Sequence, residues 1–344
     1  ANAASYTITN LAGITLADNA GLASNYTLTG GTHNFTVNPK VISLSGSRLY
    51  DATTDAVASD LTTISGLVGS ETLNLSGTGS VTNANVASNK TVTLGTLALA
   101  DNSGLAANYT LSGGTHQLTI NQRPLAATVA RQYDGTKTAA GSDLSSFDAL
   151  QGGETLTLSG SGTVGDENVA NGQGITLGTL ALVDGTGLAS NYSLNSASLN
   201  ITERVLNSSG SKTYDANTNA LAGAITLSNL VSGEALNHSG TATISSANAG
   251  SYTITNLAGI TIADGSGGTA SNYTLTGGTH NFTTNQRPLN ATLARQYDGT
   301  SNAAGSDLSS FDALQGGETL TLSGSGSAVN DNVANGLDTD IPLA

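Results

Sequence analysis

The chain of 344 residues contains no cysteine, no methionine and no tryptophan, and only four prolines. Without cysteine there can be no disulfide, no zinc–thiolate site and no thiol nucleophile. A cysteine-free chain is also compatible with passage across a bacterial envelope, where premature disulfides would block export. Aromatic residues make up 4% and charged residues 10% of the chain, too few for one large aromatic-rich core. Ten basic residues stand against 24 acidic ones, a net charge of −14, and such a surface is poorly suited to phosphate backbones, so nucleic acid is excluded as a partner. No apolar run approaches the length of a membrane-spanning helix, so no membrane insertion of this segment is expected. Ala1 begins neither at a Met nor at a signal peptide, and the chain is read as a piece of something longer.

What is present is glycine, 43 residues of it, with Thr, Val, Ile and Leu in short alternating runs between Gly, Asn, Asp and Ser. That pattern specifies short strands and many turns. It also repeats. Tyr-Asp pairs stand at Tyr50-Asp51, Tyr133-Asp134, Tyr214-Asp215 and Tyr297-Asp298, spaced 83, 81 and 83. Asn-Tyr pairs end in Tyr26, Tyr109, Tyr192 and Tyr273, spaced 83, 83 and 81, and Glu71, Glu154, Glu234 and Glu318 keep step. Parts of one repeat return unchanged after two periods: ARQYDG occurs at 130–135 and 294–299, and 141–162 returns at 305–326.

The period of about 82 residues divides the chain into five segments. A half repeat covers 1–39, complete repeats cover 40–122, 123–203 and 204–286, and a truncated repeat covers 287–344. Within the repeat from Arg123, strands are expected over LAATVA, 155–160, 174–180, 191–195 and 197–202, with a helical turn near DLSSFDAL. Five to seven short strands per repeat give an all-β fold: tandem immunoglobulin-like β-sandwiches, each closed around its own small apolar centre and joined by short linkers into an elongated rod. The alternative is a parallel β-helix, which would need a sub-period of 20–25 residues that the repeat lacks. The Gly-Gly in NYTLSGGTHQLT (108–119) predicts a hairpin between the last two strands.

Eight of the ten basic residues also follow the period. Lys40, Arg123, Arg204 and Arg287 mark the repeat junctions. Arg48, Arg131, Lys212 and Arg295 each precede the Tyr of Tyr-Asp by two positions, on the same strand face, which would lay the cationic stem along the ring. Tyr26, Tyr109, Tyr192 and Tyr273 alternate with polar residues and are expected in the core.

The pattern K/R-x-Y-D-G, then Gly-Gly-Glu-x-Leu, then V-A-N and a closing S-N-Y-x-L strand resembles the YDG repeat of very large bacterial surface adhesins, in which related MBG repeats also occur. The resemblance covers essentially the whole chain, although two turns read Tyr-Asp-Ala, at Ala52 and Ala216. It implies a stalk segment of a secreted, filamentous-haemagglutinin-like adhesin of a Gram-negative bacterium. Such a protein is exported by two-partner secretion to the extracellular cell surface or biofilm matrix. The segment would extend and present an adhesive region and bear tension, its partners being the neighbouring repeats of the same chain. In the alternative, each repeat is a weak polysaccharide- or self-binding module acting by avidity, with exopolysaccharide or other adhesin filaments as partners.

An enzyme requires a constellation made once and held in a pocket, whereas the carboxylates here recur at repeat positions, so no enzyme and no catalytic residue is expected. His33, His116 and His280 fall on different repeats and one repeat lacks the histidine, which is unlike a metal site. Calcium is the cofactor the loops come closest to: Asp18, Asp101, Asp184 and Asp264 lie in oxygen-rich loops such as ADNSG and VDGTG. No EF-hand spacing accompanies them, and Asp before Gly or Asn is ordinary turn chemistry, so no cofactor is assigned.

Overall fold

The computed structural model describes residues 1–329; the end of the truncated repeat, with its V-A-N segment, lies outside the described residues. The chain is all-β and forms tandem β-sandwich repeats, with eight single-turn 3-10 helices among the described residues. Its contacts group into two compact units. The first comprises Ala1–Ala130, Lys137–Asp166 and Gly172–Asn200, and the second Arg131–Thr136, Glu167–Asn171 and the chain from Ile201.

In the first unit, repeat 40–122 shows the architecture most plainly. One layer is a four-stranded sheet in the order Thr63–Ser65, Ser43–Leu49, His116–Asn121, Ala87–Thr91. The other layer consists of two antiparallel ribbons, Asp55–Val57 with Thr78–Ser80 and Leu73–Ser76 with Ala98–Asp101. The alternation of each strand sends one set of side chains between the layers. Ile42, Leu44, Ala56, Leu61, Leu73, Leu118 and Ile120 are buried there. The cluster does not stop at the repeat boundary: Leu125, Leu156 and Tyr192 of the next repeat belong to it. The apolar centre is therefore shared across this junction rather than private to each repeat. Burying a continuous face is how a repeat of this size, with few aromatics, gathers enough apolar surface.

The first and last strands of the repeat are parallel neighbours, paired from Leu44 with His116 to Leu49 with Asn121. Tyr109–Thr110 pairs parallel with Lys40–Val41 in the same direction. The expected hairpin is thus not formed, because both of its arms lie along one edge of the first strand. Gly113, at φ 84°, and Gly114 instead bulge the chain outward, and a Cβ on Gly114 would stand 2.1 Å from the Ile42 carbonyl oxygen. His116 Nε2, 2.8 Å from the Leu111 carbonyl, closes the bulge. Repeat 123–203 lacks the Gly-Gly, being two residues shorter between Tyr192 and Leu199 than between Tyr109 and Leu118, and there a single strand runs over Tyr192–Thr202. This deletion also accounts for the spacing of 81 that interrupts the spacings of 83.

Two other expectations for repeat 123–203 change. Of residues 174–180, Gly174 ends the strand Ala170–Gly174 and 175–180 form a turn with one bridge, Thr163 to Thr176. The turn near DLSSFDAL is a 3-10 turn at Gly141–Asp143 that leads directly into the strand Leu144–Phe147.

In the second unit, repeat 204–286 has the same plan, with Ser208 to Thr213 parallel to His280 to Asn285. Here Leu236–Ile244 is one bent strand serving both layers, antiparallel to Asn219–Leu221, Gly250–Asn256 and Ile260–Asp264. Its corner is Gly240, at φ 103°, where a Cβ would stand 1.9 Å from the Gly259 carbonyl oxygen. The half repeat 1–39 keeps one ribbon, Ala4–Thr7 with Asn34–Val37. The last repeat keeps Ala291–Leu293 with Leu308–Phe311 and Asn302–Ala304 with Ser325–Ser327. The pairing is mostly antiparallel and completed within repeats, which is a sandwich and not a β-helix.

Candidate functional site at the repeat junctions

The Tyr-Asp motif follows the first strand of each complete repeat. The Tyr50 amide closes the parallel ladder on the Asn121 carbonyl at 2.9 Å, and Tyr133 and Tyr214 do the same on Thr202 and Asn285. Beyond the tyrosine the chain turns. Asp51 Oδ1 accepts from the Thr53 amide and hydroxyl, both at 2.9 Å, and Asp134 holds Thr136 at the same distances. The basic residue two before the tyrosine reaches into this turn. Arg48 pairs with Asp51 and donates to the Thr53 carbonyl at 2.7 Å. Arg131 and Arg295 pair with Asp134 and Asp298, and Lys212 Nζ lies 2.7 Å from Asp215 Oδ1. The cation is therefore held by the turn, and the ring contacts of the tyrosine are with another tyrosine. Burial opposes ionisation of Asp51, but the Thr53 amide and the Arg48 guanidinium outweigh it and hold the carboxyl below its ordinary range.

The four in-step glutamates explain why the tyrosine recurs. Each closes a four-residue turn, its amide bonding to the carbonyl of Val68, Gln151, Val231 or Gln315 at 2.9–3.1 Å. In the first unit, Tyr192 caps this turn from within its own repeat: its hydroxyl accepts from the Gln151 amide at 3.1 Å and donates to Glu154 Oε2 at 2.6 Å. The other carboxylate oxygen takes the hydroxyl of Tyr50, from the preceding repeat, at 2.5 Å. The two rings meet edge to face at 5.3 Å.

The second unit repeats the arrangement. Glu234 accepts from Tyr273 at 2.5 Å and from Tyr133 at 2.6 Å, with the rings 5.5 Å apart, and Glu318 accepts from Tyr214. Glu71 accepts from Tyr109, whose hydroxyl takes the Val68 amide at 3.1 Å. A carboxylate with both oxygens on phenols makes two charge-assisted hydrogen bonds in a half-buried site. Burial, then the glutamate, push the hydroxyls of Tyr192 and Tyr273 up to about 12 and those of Tyr50 and Tyr133 higher still.

Two further kinds of contact occur at the junctions. Asn191, 1% exposed, accepts from the Val86 amide at 2.9 Å and donates to Asn85 Oδ1 at 3.1 Å. Asn272 binds Val169 and Asn168 in the same way, at 2.9 and 2.7 Å. The junction arginines bind the backbone of the tyrosine, Arg123 Nε to the Tyr50 carbonyl at 2.6 Å and Arg287 Nε to that of Tyr214 at 2.7 Å. Each junction thus joins the tip of one repeat to the glutamate turn of the next.

A family model for the YDG domain matches residues 32–117, 116–200 and 198–280. The chain belongs to the YDG domain family. No curated protein matches it.

In these YDG repeats the tyrosine and aspartate of the name divide the work: the aspartate builds the tip and the tyrosine carries it into the neighbour. The closing tyrosines Tyr109, Tyr192 and Tyr273 are buried as expected, whereas Tyr26 is 71% exposed, since residues 1–39 contain no counterpart of the glutamate turn. Tyr297 is 65% exposed. The loop aspartates each receive a backbone amide: Asp18, Asp101, Asp184 and Asp264 accept from Ala23, Ala106, Ala189 and Ala270 at 2.6–2.8 Å. No group of three or more His, Asp or Glu able to hold a metal ion occurs among the described residues. The sequence shows the glutamates and the Asn-Tyr pairs keeping step and places the tyrosines in the core, but names no partner for their hydroxyls. The signal was there in Glu154 and Tyr50 recurring together at one period.

Proposed function

We propose that this chain is a load-bearing spacer, the stalk segment of a bacterial cell-surface or biofilm adhesin, whose YDG repeats set length and carry tension to an adhesive region. The observation that carries this reading is the parallel pairing of first and last strands, Leu44 to Leu49 against His116 to Asn121. Tension enters such a repeat at the start of the first strand and leaves at the end of the last. Because these two strands are parallel neighbours, the pull slides one along the other and loads all their ladder hydrogen bonds together. An antiparallel arrangement of the same strands would open one bond at a time. The glutamate clamp adds a non-covalent tie at each junction.

Export and an extracellular location follow in this reading from the resemblance of the repeats to those of large surface adhesins. The alternative, a weak polysaccharide module, would be favoured by tyrosines exposed in a groove, whereas Tyr109, Tyr192 and Tyr273 are buried with their hydroxyls on the glutamate turns. Pulling single molecules by their ends tests the proposal. Force should rise and fall in steps, each releasing one repeat of about 82 residues, on the order of 280 Å of chain. Smooth extension at low force, or release of the whole chain in one event, would overturn it.

A further inference from the structure

The tips and the turns that receive them come in two sizes. The residue after Tyr-Asp adopts a left-handed backbone in every complete repeat: Ala52 at φ 63°, Gly135 at 72° and Ala216 at 59°. Glycine enters that region freely and alanine does not, so the two methyls are kept against a backbone preference. Their surroundings give the reason. A Cβ on Gly152, in the turn Gln151–Glu154, would stand 3.0 Å from the Ala52 methyl, and one on Gly316 would stand 3.2 Å from that of Ala216. The methyl of the tip therefore packs on bare glycine in the turn of the next repeat.

Where the tip is Gly135 the relation is reversed. The receiving turn reads Val231-Ser232-Gly233-Glu234, and a Cβ on Gly135 would stand 2.9 Å from Val231 Cγ1 and 3.6 Å from Glu234 Oε1. That is closer than carbon atoms tolerate, and valine, branched at Cβ, has little rotamer freedom to retreat. Moreover, no complete repeat carries a turn that fits its own tip. Repeat 123–203 has a glycine tip and a Gln-Gly-Gly-Glu turn, while repeats 40–122 and 204–286 have alanine tips and turns beginning with valine.

We infer that the glutamate turn is a docking surface that selects the tip of the preceding repeat by size: glycine turns take alanine tips and valine turns take glycine tips. The clash keeps an alanine tip off a valine turn, so an alanine-tipped repeat is kept from docking on a copy with a valine turn, whereas a glycine tip on a glycine turn meets no obstruction and loses only the methyl contact. Mispairing between similar neighbouring repeats is a characteristic failure of tandem proteins, and alternation of this kind opposes it. The inference does not depend on the load-bearing reading.

Amide hydrogen exchange on the full chain tests it. The amides of Tyr133, Val169 and Val231 report the valine-type junction, and those of Tyr50, Val86 and Gln151 report the glycine-type junction as an internal control. Gly135→Ala should speed exchange of the first set about tenfold or more and leave the second set unchanged. Adding Val231→Gln with Ser232→Gly, which copies the other turn, should bring the rates back to within about threefold of the parent. An equal effect of Gly135→Ala on either turn would mean backbone strain alone and would overturn the code. If Gly135→Ala does not fold, Gly135→Ala with Val231→Ala, which removes the obstructing Cγ1, should fold; failure of both would also overturn it.

Discussion

Tyr50 and Tyr192 lie 142 positions apart in sequence and share one carboxylate, their hydroxyls donating to the two oxygens of Glu154. Their rings cross at 78° with centroids 5.3 Å apart, an edge-to-face geometry that leaves both hydroxyls pointing the same way. The junction is thus specified by three side chains drawn from two repeats. It recurs at Glu234 with Tyr133 and Tyr273.

Glu154→Gln should destabilise the junction more than either Tyr50→Phe or Tyr192→Phe. The amide is neutral and places an NH2 where the second oxygen stood, so both phenols lose their bond to a charged group and one of them can no longer donate there. Each phenylalanine change removes one hydrogen bond to a charged group, worth about 1.5–3 kcal/mol. In a double-mutant cycle, Tyr50→Phe should cost markedly less once Glu154 is Gln. Denaturant midpoints of the four proteins measure this, and additive costs would remove the glutamate from the centre of the junction.

Stability should fall at alkaline pH. The clamped hydroxyls are held protonated, Tyr192 and Tyr273 up to about 12, against an ordinary tyrosine value of about 10 in the unfolded chain. Below pH about 10 both states keep the proton and the contribution is complete. Above it the unfolded chain releases protons that the folded chain retains, so stability declines until pH passes about 12. Thermal unfolding from pH 8 to 12, with tyrosinate absorbance followed in parallel, should show the two changes together. A melting temperature that stays level across that range would contradict the clamp.

The loop aspartates should behave as amide acceptors. Asp184 Oδ1 takes the Ala189 amide at 2.7 Å, just before the 3-10 turn Ala189–Asn191 that delivers Asn191 and Tyr192 to the junction. Asp184→Ala should cost about 1 kcal/mol, while Asp184→Asn, whose side-chain oxygen accepts in the same place, should cost only a few tenths. Equal losses for both variants in thermal melts would show that the charge matters and would point back to a cation.

The sequence displayed the components of the junction but not their assembly. Alternation puts Leu156 with Leu158, Ile175 with Leu177, Tyr192 with Leu194 and Leu199 with Ile201 on inward faces; Leu156, Leu158, Tyr192, Leu199 and Ile201 are buried, whereas Ile175, Leu177 and Leu194 are half-buried. Period alone singled out Arg48, Tyr50 and Asp51. It could not say that Arg48 closes a turn, because the same spacing serves a stacked cation and an ion pair equally well. The Gly-Gly of 113–114 misled because glycine permits both reversal and close approach, and only the neighbouring Ile42 carbonyl decides which. Contacts between repeats were the least legible, since a periodic sequence assigns a residue its place in the unit without saying whether its partner is one period away.

Two glycines in one repeat separate those two uses of glycine. Gly160 and Gly153 have nearly the same backbone, φ 76° and 72°, so an added methyl is equally strained in both. Their surroundings differ. A Cβ on Gly160 would stand 2.1 Å from the Thr179 carbonyl oxygen, at the corner where the chain passes from one ribbon to the other, whereas a Cβ on Gly153 meets nothing within 4 Å. Gly153→Ala should therefore cost only the left-handed strain, about 1–2 kcal/mol. Gly160→Ala must in addition push apart a pair of backbones held together by the sheet, and a loss above about 4 kcal/mol, or failure of that repeat to fold, is expected. Equilibrium unfolding of both variants in the full chain gives the difference directly. Equal losses would mean that the corner can open to admit a side chain, and the glycine repeated at positions 77, 160 and 240 would then be there for its backbone angle alone.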